Sequence, residues 1–219
     1  NNRNARRKQS GTLIWWFKEF LDKVGHDKAM LLMHTDPKDM HGQDLIYIVN
    51  NLDLNNRQVM FSTKHIGLES MPAFYNIADV TINISDAEGF GLSTLESLTC
   101  GTPIIANMTG GLQEQIIGDG GPFGVPLFPV SKSVIGSQQV PYIYEDRISK
   151  DHFFSALDNM YDMGPEERRR LGMLGREHVN KNYNDFETKW VDYMLKVYET
   201  EGSWESRKGY NNIIFKEIA

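Results

Sequence analysis

Thirty residues, Ser85 to Glu114 (SDAEGFGLSTLESLTCGTPIIANMTGGLQE), restrict what this chain can fold into more than any other stretch. The run that leads into them, Val80 to Ser85 (VTINIS), is apolar and β-branched, the composition of a buried strand. Gly89 and Gly91 break that run, and Leu92, Leu95 and Leu98 then recur at helical spacing up to Cys100. The order is strand, glycine turn, helix. A second strand, Pro103 to Ala106, leads to a second turn at Thr109-Gly110-Gly111, with Glu114 just beyond it. Two such turns side by side form a crevice at the strand ends, which is where open α/β sheets bind ligands.

The residue types say what such a crevice would hold. Glycine lets the backbone approach a ligand closely, and a helix N-terminus presents unpaired N–H groups with partial positive charge. The turn through Gly89, Phe90, Gly91 and Leu92 therefore suits an anion, a phosphate above all. Glu88 on the lip of this turn and Glu96 about one helical turn inside are acceptors when ionised, so hydroxyl groups suit them better than phosphate.

With seven residues between Glu88 and Glu96, EGFGLSTLE followed by CGTPIIA and GGLQE resembles the donor-binding half of retaining glycosyltransferases of family 4, which have the two-domain GT-B fold. The resemblance runs from Asn1 to the 190s and is weakest from Val130 to Arg147. It implies an α/β chain with a Rossmann-like doubly wound parallel sheet and C-terminal helices, and transfer of a sugar from a UDP- or GDP-linked donor to an acceptor hydroxyl. On this resemblance Arg3 and Lys8 reach the donor diphosphate, although Asn2 stands where a Gly often precedes the Arg. Glu88 holds the transferred sugar or assists at its anomeric centre, and Glu96 binds the ribose hydroxyls. Gly110, Gly111 and Glu114 complete the cradle, a helix-start acid being the plainer reading of Glu114. The loop Thr63 to Gly67 takes the nucleotide base, with Ile66 either on its face or anchored in the core. The resemblance implies no metal and no cofactor. The acceptor, a glycan, a lipid-linked group or a protein, would belong to an N-terminal domain that is not in this sequence, so this chain should bind donor but hardly transfer sugar alone. Two rival readings stay open: a GT-B sugar-nucleotide epimerase or phosphorylase, and a non-catalytic nucleotide-sugar-binding or interaction module.

Composition narrows the partners. The chain of 219 residues carries a net charge of −6 and a pI near 5.5, which argues against general binding to nucleic acid or an anionic membrane. Residues 1–200 are expected to form the domain, and residues 201–219 a tail that packs on it or on the absent domain. The single cysteine, Cys100, allows no internal disulfide and reads as a small helix residue rather than a nucleophile. No run approaches the roughly 20 apolar residues of a membrane span. The expected location is cytoplasmic, with peripheral membrane contact through the absent half left open.

The remaining pattern alternates strand and helix. Thr12 to Val24 reads as an amphipathic helix, Ala29 to His34 as a strand, Asp44 to Leu52 as a helix with Asp44 near its cap, Val59 to Ser62 as a strand, and Met71 to Ala78 as a helix begun by Pro72. Tyr75 reads as core. His34 and His41 raise a metal site, but no third ligand has a useful spacing. Gly118 to Pro129 is Gly- and Pro-rich and predicts an irregular or extended connection. Val130 to Arg147 predicts a surface insertion with a short strand or hairpin near Val140 to Tyr144. Three helices follow, 151–163, 165–182 and 185–199, with Arg168, Arg169 and Arg170 on a wet face and Phe186, Trp190, Met194 and Val197 as a packing stripe.

Overall fold

The computed structural model describes residues 1–203, so nearly all of the tail expected at 201–219 falls outside the described residues. The chain divides into two compact units, Asn1–Asn180 and Lys181–Ala219. The first unit opens with a 3-10 turn at Arg6–Lys8 and enters α1 (Ser10–Val24), whose buried Leu13, Ile14, Phe17, Phe20 and Leu21 recur at spacings of a single helical face. Gly25, at φ +113°, ends it in a backbone conformation that side chains disfavour.

Strand–helix–strand units then follow. β1 (Leu31–His34) pairs in parallel with β2 (Val59–Ser62), and between them lies α2 (Leu45–Asn51). Asp44 caps α2 by accepting from the Tyr47 N–H at 2.9 Å, as its position predicts. After α3 (Met71–Asn76), which has Pro72 in its first turn, come β3 (Thr81–Asn83), α4 (Leu92–Thr99), β4 (Ile104–Asn107) and α5 (Leu112–Ile116). A short antiparallel bridge, β5 (Ile117–Gly118) with β6 (Gly121–Pro122), leads into β7 (Gly124–Leu127), which pairs in parallel with β4. Of the two alternatives read for residues 118–129, irregular or extended, residues 124–127 take the extended one, as a strand paired in the sheet rather than a connection. Gly124 is required there because a Cβ would lie 1.7 Å from the Ile104 carbonyl oxygen, and Pro126 is tolerated because β7 is the edge of its sheet.

Residues 131–147 form an antiparallel hairpin of β8 (Ser131–Ile135) and β9 (Ile143–Arg147). Two helices close the sequence of this unit, α6 (Lys150–Asp162), capped by Ser149 onto the His152 N–H, and α7 (Pro165–Tyr183), which crosses the boundary at Asn180. Arg168 is not on a wet face. It donates to the Met160 and Met163 carbonyls at the end of α6 and pairs with Asp79 at 3.0 Å, which serves the carbonyls that a helix end leaves unpaired. In the second unit, α8 (Phe186–Glu201) stacks Phe186 on Trp190 with ring centroids 6.1 Å apart. Taken by itself it buries none of its residues, so its stripe is not core packing.

β4, whose four residues are all buried, is covered on both faces. Ile105 of β4 belongs to the main apolar core with Phe17 and Phe20 of α1 and Phe153 and Leu157 of α6, whereas its neighbours Ile104 and Ala106 are buried outside that cluster, as the alternation of a strand demands. Packing of α4 and α5 onto β4 covers the second face. Helices on both faces of parallel strands give the doubly wound α/β architecture. The ladder itself comes in two parts, β1–β2 and β3–β4–β7. Between the facing edges of β1 and β3 lies a cavity of about 540 Å³, lined by residues 28–35 and 77–82 and bounded by Asn1 and Asn2. The Asn2 N–H donates to the His34 carbonyl at 3.3 Å, at the end of β1. Among the described residues no helix is long and apolar enough to cross a membrane.

Phe153 is fully buried, with its ring 5.3 Å from that of Trp16. Phe153→Ala should lower the stability of the first unit by about 3–5 kcal/mol, read from urea denaturation, because a ring-sized void cannot collapse between α1 and α6.

Candidate functional site

The ends of β3 and β4 carry the two glycine turns, and the turns touch through backbone alone. A Cβ on Gly110 would lie 1.7 Å from the Glu88 carbonyl oxygen, and one on Gly111 would meet the Phe90 and Gly89 carbonyls at 2.7 and 2.9 Å. The Gly111 N–H donates to the Gly89 carbonyl at 3.1 Å. Gly91, at φ +88°, precedes the first residue of α4, and a Cβ there would strike Leu112 at 2.4 Å. Gln115 of α5 completes the join by donating to the Phe90 carbonyl at 2.6 Å and accepting from the Thr94 hydroxyl at 2.6 Å. Phe90 and Leu92 are exposed beside this turn, and Gly89 faces open space.

Charge gathers at the same place. The Asp86 N–H donates to the Arg7 carbonyl at 2.8 Å, which holds the 3-10 turn against the end of β3. Lys8 forms an ion pair with Glu88, and the two side chains are only 9% and 12% exposed. Arg7 is the second cation here, with Nη1 3.8 Å from Glu88 Oε2. Arg3 does not join them. It pairs with Asp39 at 2.7 Å and meets the His41 ring at 2.6 Å on an exposed surface, and its guanidinium holds the Asp39 carboxyl well below the usual carboxylate range. The run Arg3 to Lys8 therefore divides by partner, and the residue beside Glu88 that sequence reasoning passed over is Arg7.

Glu96, on α4, accepts from the Tyr75 hydroxyl at 2.6 Å and from the Asn1 side-chain amide at 3.4 Å. Glu114 is exposed in the first turn of α5, the position of an ordinary helix-start acid, and its carbonyl meets His178 Nε2 at 3.1 Å. Ile66 is half-buried in the loop after β2. Burial pushes the Cys100 thiol up, the wrong direction for a nucleophile. His34 bonds Ser62 at 3.0 Å, and among the described residues no group of three or more His, Cys, Asp or Glu side chains is placed to hold a metal ion.

The hairpin at 131–147 is built into this site rather than lying plainly on the surface. The Asp146 N–H donates to the Asp86 carbonyl at 2.7 Å, and the Asn107 amide bridges the Ser85 and Asp146 carbonyls at 2.8 Å each. Thr109, in the second glycine turn, donates to Asp146 Oδ2 at 2.8 Å. Glu145 is 1% exposed and accepts from Arg6 Nη1 at 3.0 Å and Arg147 Nη2 at 2.8 Å, while Arg147 also pairs with Asp86 at 2.8 Å. The Arg6 bonds, aided by nearby positive charge, hold Glu145 below the ordinary glutamate value; desolvation pushes Asp86 up. No short motif announces this network, because its partners lie far apart in sequence.

Residues 40–123 match the profile of the family described as glycosyl transferases group 1. Over 164 residues the chain is 27% identical to trehalose synthase of Rubrobacter xylanophilus, covering 74% of this chain and 34% of that protein. It is 24% identical to N-acetyl-alpha-D-glucosaminyl L-malate synthase of Bacillus anthracis, covering 77% of this chain and 41% of the relative. The chain thus spans about a third to two fifths of the length of these relatives. Among solved structures, sucrose-phosphate synthase from Thermosynechococcus elongatus superposes with a TM-score of 0.67 at 25% identity, over 92% of this chain and 45% of that one. The C-terminal domain of a glycosyl transferase group 1 family protein from Francisella tularensis superposes at 0.61 and 21% identity, covering 83% of this chain and 82% of that domain. The α/β fold of the GT-B glycosyltransferases is therefore the fold of this chain.

Gly110→Ala should destabilise the fold by at least about 1–3 kcal/mol in thermal or urea unfolding, because φ there is +51° and the Glu88 carbonyl occupies the space. Gly89→Ala, with nothing within 4 Å of the added carbon, should change stability by no more than about 0.5 kcal/mol. The stabilisation carried by Glu145 is present above the unfolded glutamate value of about 4.3 and is lost as pH falls through its lowered folded value. Glu145→Gln should accordingly reduce stability at pH 7 and flatten the fall in unfolding free energy on acidification below about pH 5.

Proposed function

We propose that this chain is the donor-binding domain of a retaining, family 4 glycosyltransferase, which takes a sugar from a UDP- or GDP-linked donor and passes it to an acceptor hydroxyl. The observation that carries the reading is the placing of Lys8 and Arg7 beside Glu88, where the glycine turn opens α4. Free N–H groups at the start of a helix and two cations are what a departing diphosphate needs, since charge grows on the phosphate oxygen as its bond to the anomeric carbon breaks. Glu88 then faces the sugar, and Glu96 takes ribose hydroxyls. In the unliganded chain the Lys8–Glu88 pair keeps two poorly hydrated charges matched, and an incoming diphosphate takes over the lysine.

Arg3 enters this reading only by leaving Asp39, so Arg7 stands as the nearer second cation. Gly110 and Gly111 form the wall opposite α4, Ile66 lies in the loop assigned to the base, and Glu114 acts as a helix-start acid. The acceptor, whether glycan, lipid-linked or protein, would be met by a partner domain, and any contact with a membrane surface would come through that domain. The relatives' length supports this division, since each exceeds the portion matched here.

Calorimetric and thermal-shift titration with UDP, GDP and ADP tests the reading, because a ligand that binds only the native state raises its stability. One nucleoside diphosphate should bind selectively, with affinity reduced about tenfold or more in Lys8→Ala and less in Arg7→Ala. Silence towards all three would defeat it.

A further inference from the structure

Glu96 is held by a second residue that nothing in its own motif specifies. Tyr75 of α3 is only 3% exposed; its hydroxyl accepts from the Asn1 side-chain amide at 2.8 Å and donates to Glu96 Oε2 at 2.6 Å. The Thr102 hydroxyl fixes the backbone behind this ring, donating to the Tyr75 carbonyl at 2.8 Å. Burial, and then the hydrogen bond to the carboxylate, keep the phenol's pKa above its ordinary value, so it remains a donor at neutral pH. The Asn1 amide reaches the same oxygen at 3.4 Å, so both protein donors fall on Oε2 and, among the described residues, none falls on Oε1.

Resting on the donor-binding reading, we propose that Tyr75 is a positioning residue that commits Oε2 of Glu96, leaves Oε1 as the acceptor for a ribose hydroxyl, and so makes the site select ribonucleotide over deoxyribonucleotide donors. A glutamate side chain loses considerable rotamer freedom when it binds a ligand. Tyr75 removes that freedom beforehand, so the hydroxyl meets an acceptor already oriented. A ligand lacking the hydroxyl leaves Oε1 short of a partner and gains nothing from the orientation. The effect of Tyr75 is therefore confined to ligands that carry the hydroxyl.

The test is calorimetric titration of the nucleoside diphosphate chosen by this chain, together with its 2′-deoxy and 3′-deoxy forms, into wild type, Tyr75→Phe, Glu96→Gln and the double variant. Wild type should prefer the ribonucleotide over at least one deoxy form by about tenfold, and Tyr75→Phe should shrink that preference about fivefold while leaving deoxy affinity unchanged. In Glu96→Gln the preference should already be small, and adding Tyr75→Phe should change it no further, since the tyrosine acts through the carboxylate. Equal loss of ribo- and deoxyribonucleotide affinity in Tyr75→Phe would mean a merely structural role and overturn the proposal. So would additive effects in the double variant, or an unchanged preference in the single one. Wild type that binds no nucleoside diphosphate at all would instead remove the donor reading, and this inference with it.

Discussion

Everything at the candidate site depends on two loops meeting without side chains. Gly110 and Gly111 lie against the carbonyls of Glu88, Gly89 and Phe90 at distances no Cβ could share. That contact seats the second glycine turn against the first, beside Gly91, where the chain enters α4. Thr94 and Gln115 then lock the join with two bonds of 2.6 Å from the helices behind it. Glycine serves here as an absence of volume, and the site is the surface which that absence creates.

Around this backbone frame the charges are arranged almost as a closed circuit. Lys8 is matched by Glu88, Arg6 by Glu145, and Arg147 by both Glu145 and Asp86. Matching is needed because most of the carboxylates are buried, and a lone buried charge costs several kcal/mol. The consequence for an anionic ligand is that it competes rather than fills a void. On the proposed reading a diphosphate would have to offer Lys8 more than a single carboxylate does, which two or three phosphate oxygens with greater charge can do. Asp146 and Asn107 carry the hairpin into the same circuit, so residues 131–147 bear on the geometry at the end of β3 as directly as α4 does.

What could be read from the sequence was what depends on near neighbours. The strand into Ser85, the glycine turns, the Asp44 cap and the Pro165 helix start are all decided within a few residues, and each occurs where its pattern places it. β7 was not legible because Gly124 is required by the Ile104 carbonyl, twenty residues away, and Pro126 masks the strand. The Arg6–Glu145 pair spans 139 positions, so no motif could announce it. The same limit hid Tyr75, whose spacing marks it as core and whose hydroxyl meets a carboxylate 21 positions on. Among Arg3, Arg6, Arg7 and Lys8, the family resemblance pointed to Arg3 with Lys8, but the placing is decided by acids elsewhere: Arg3 pairs with Asp39, and Arg7 lies near Glu88.

The divided ladder has a consequence of another kind. Sheets usually defend a free edge with charge, proline or a bulge, which stops a neighbouring molecule from adding a strand. β1 and β3 carry little of this protection along the cavity, which is lined by Leu31, Leu32 and Met33 of the one and Thr81 and Ile82 of the other. Their safeguard is enclosure by helices rather than sequence. Both edges are thereby screened only while α1 and α6 stay packed over the cavity, so edge protection here is a property of packing and not of strand composition.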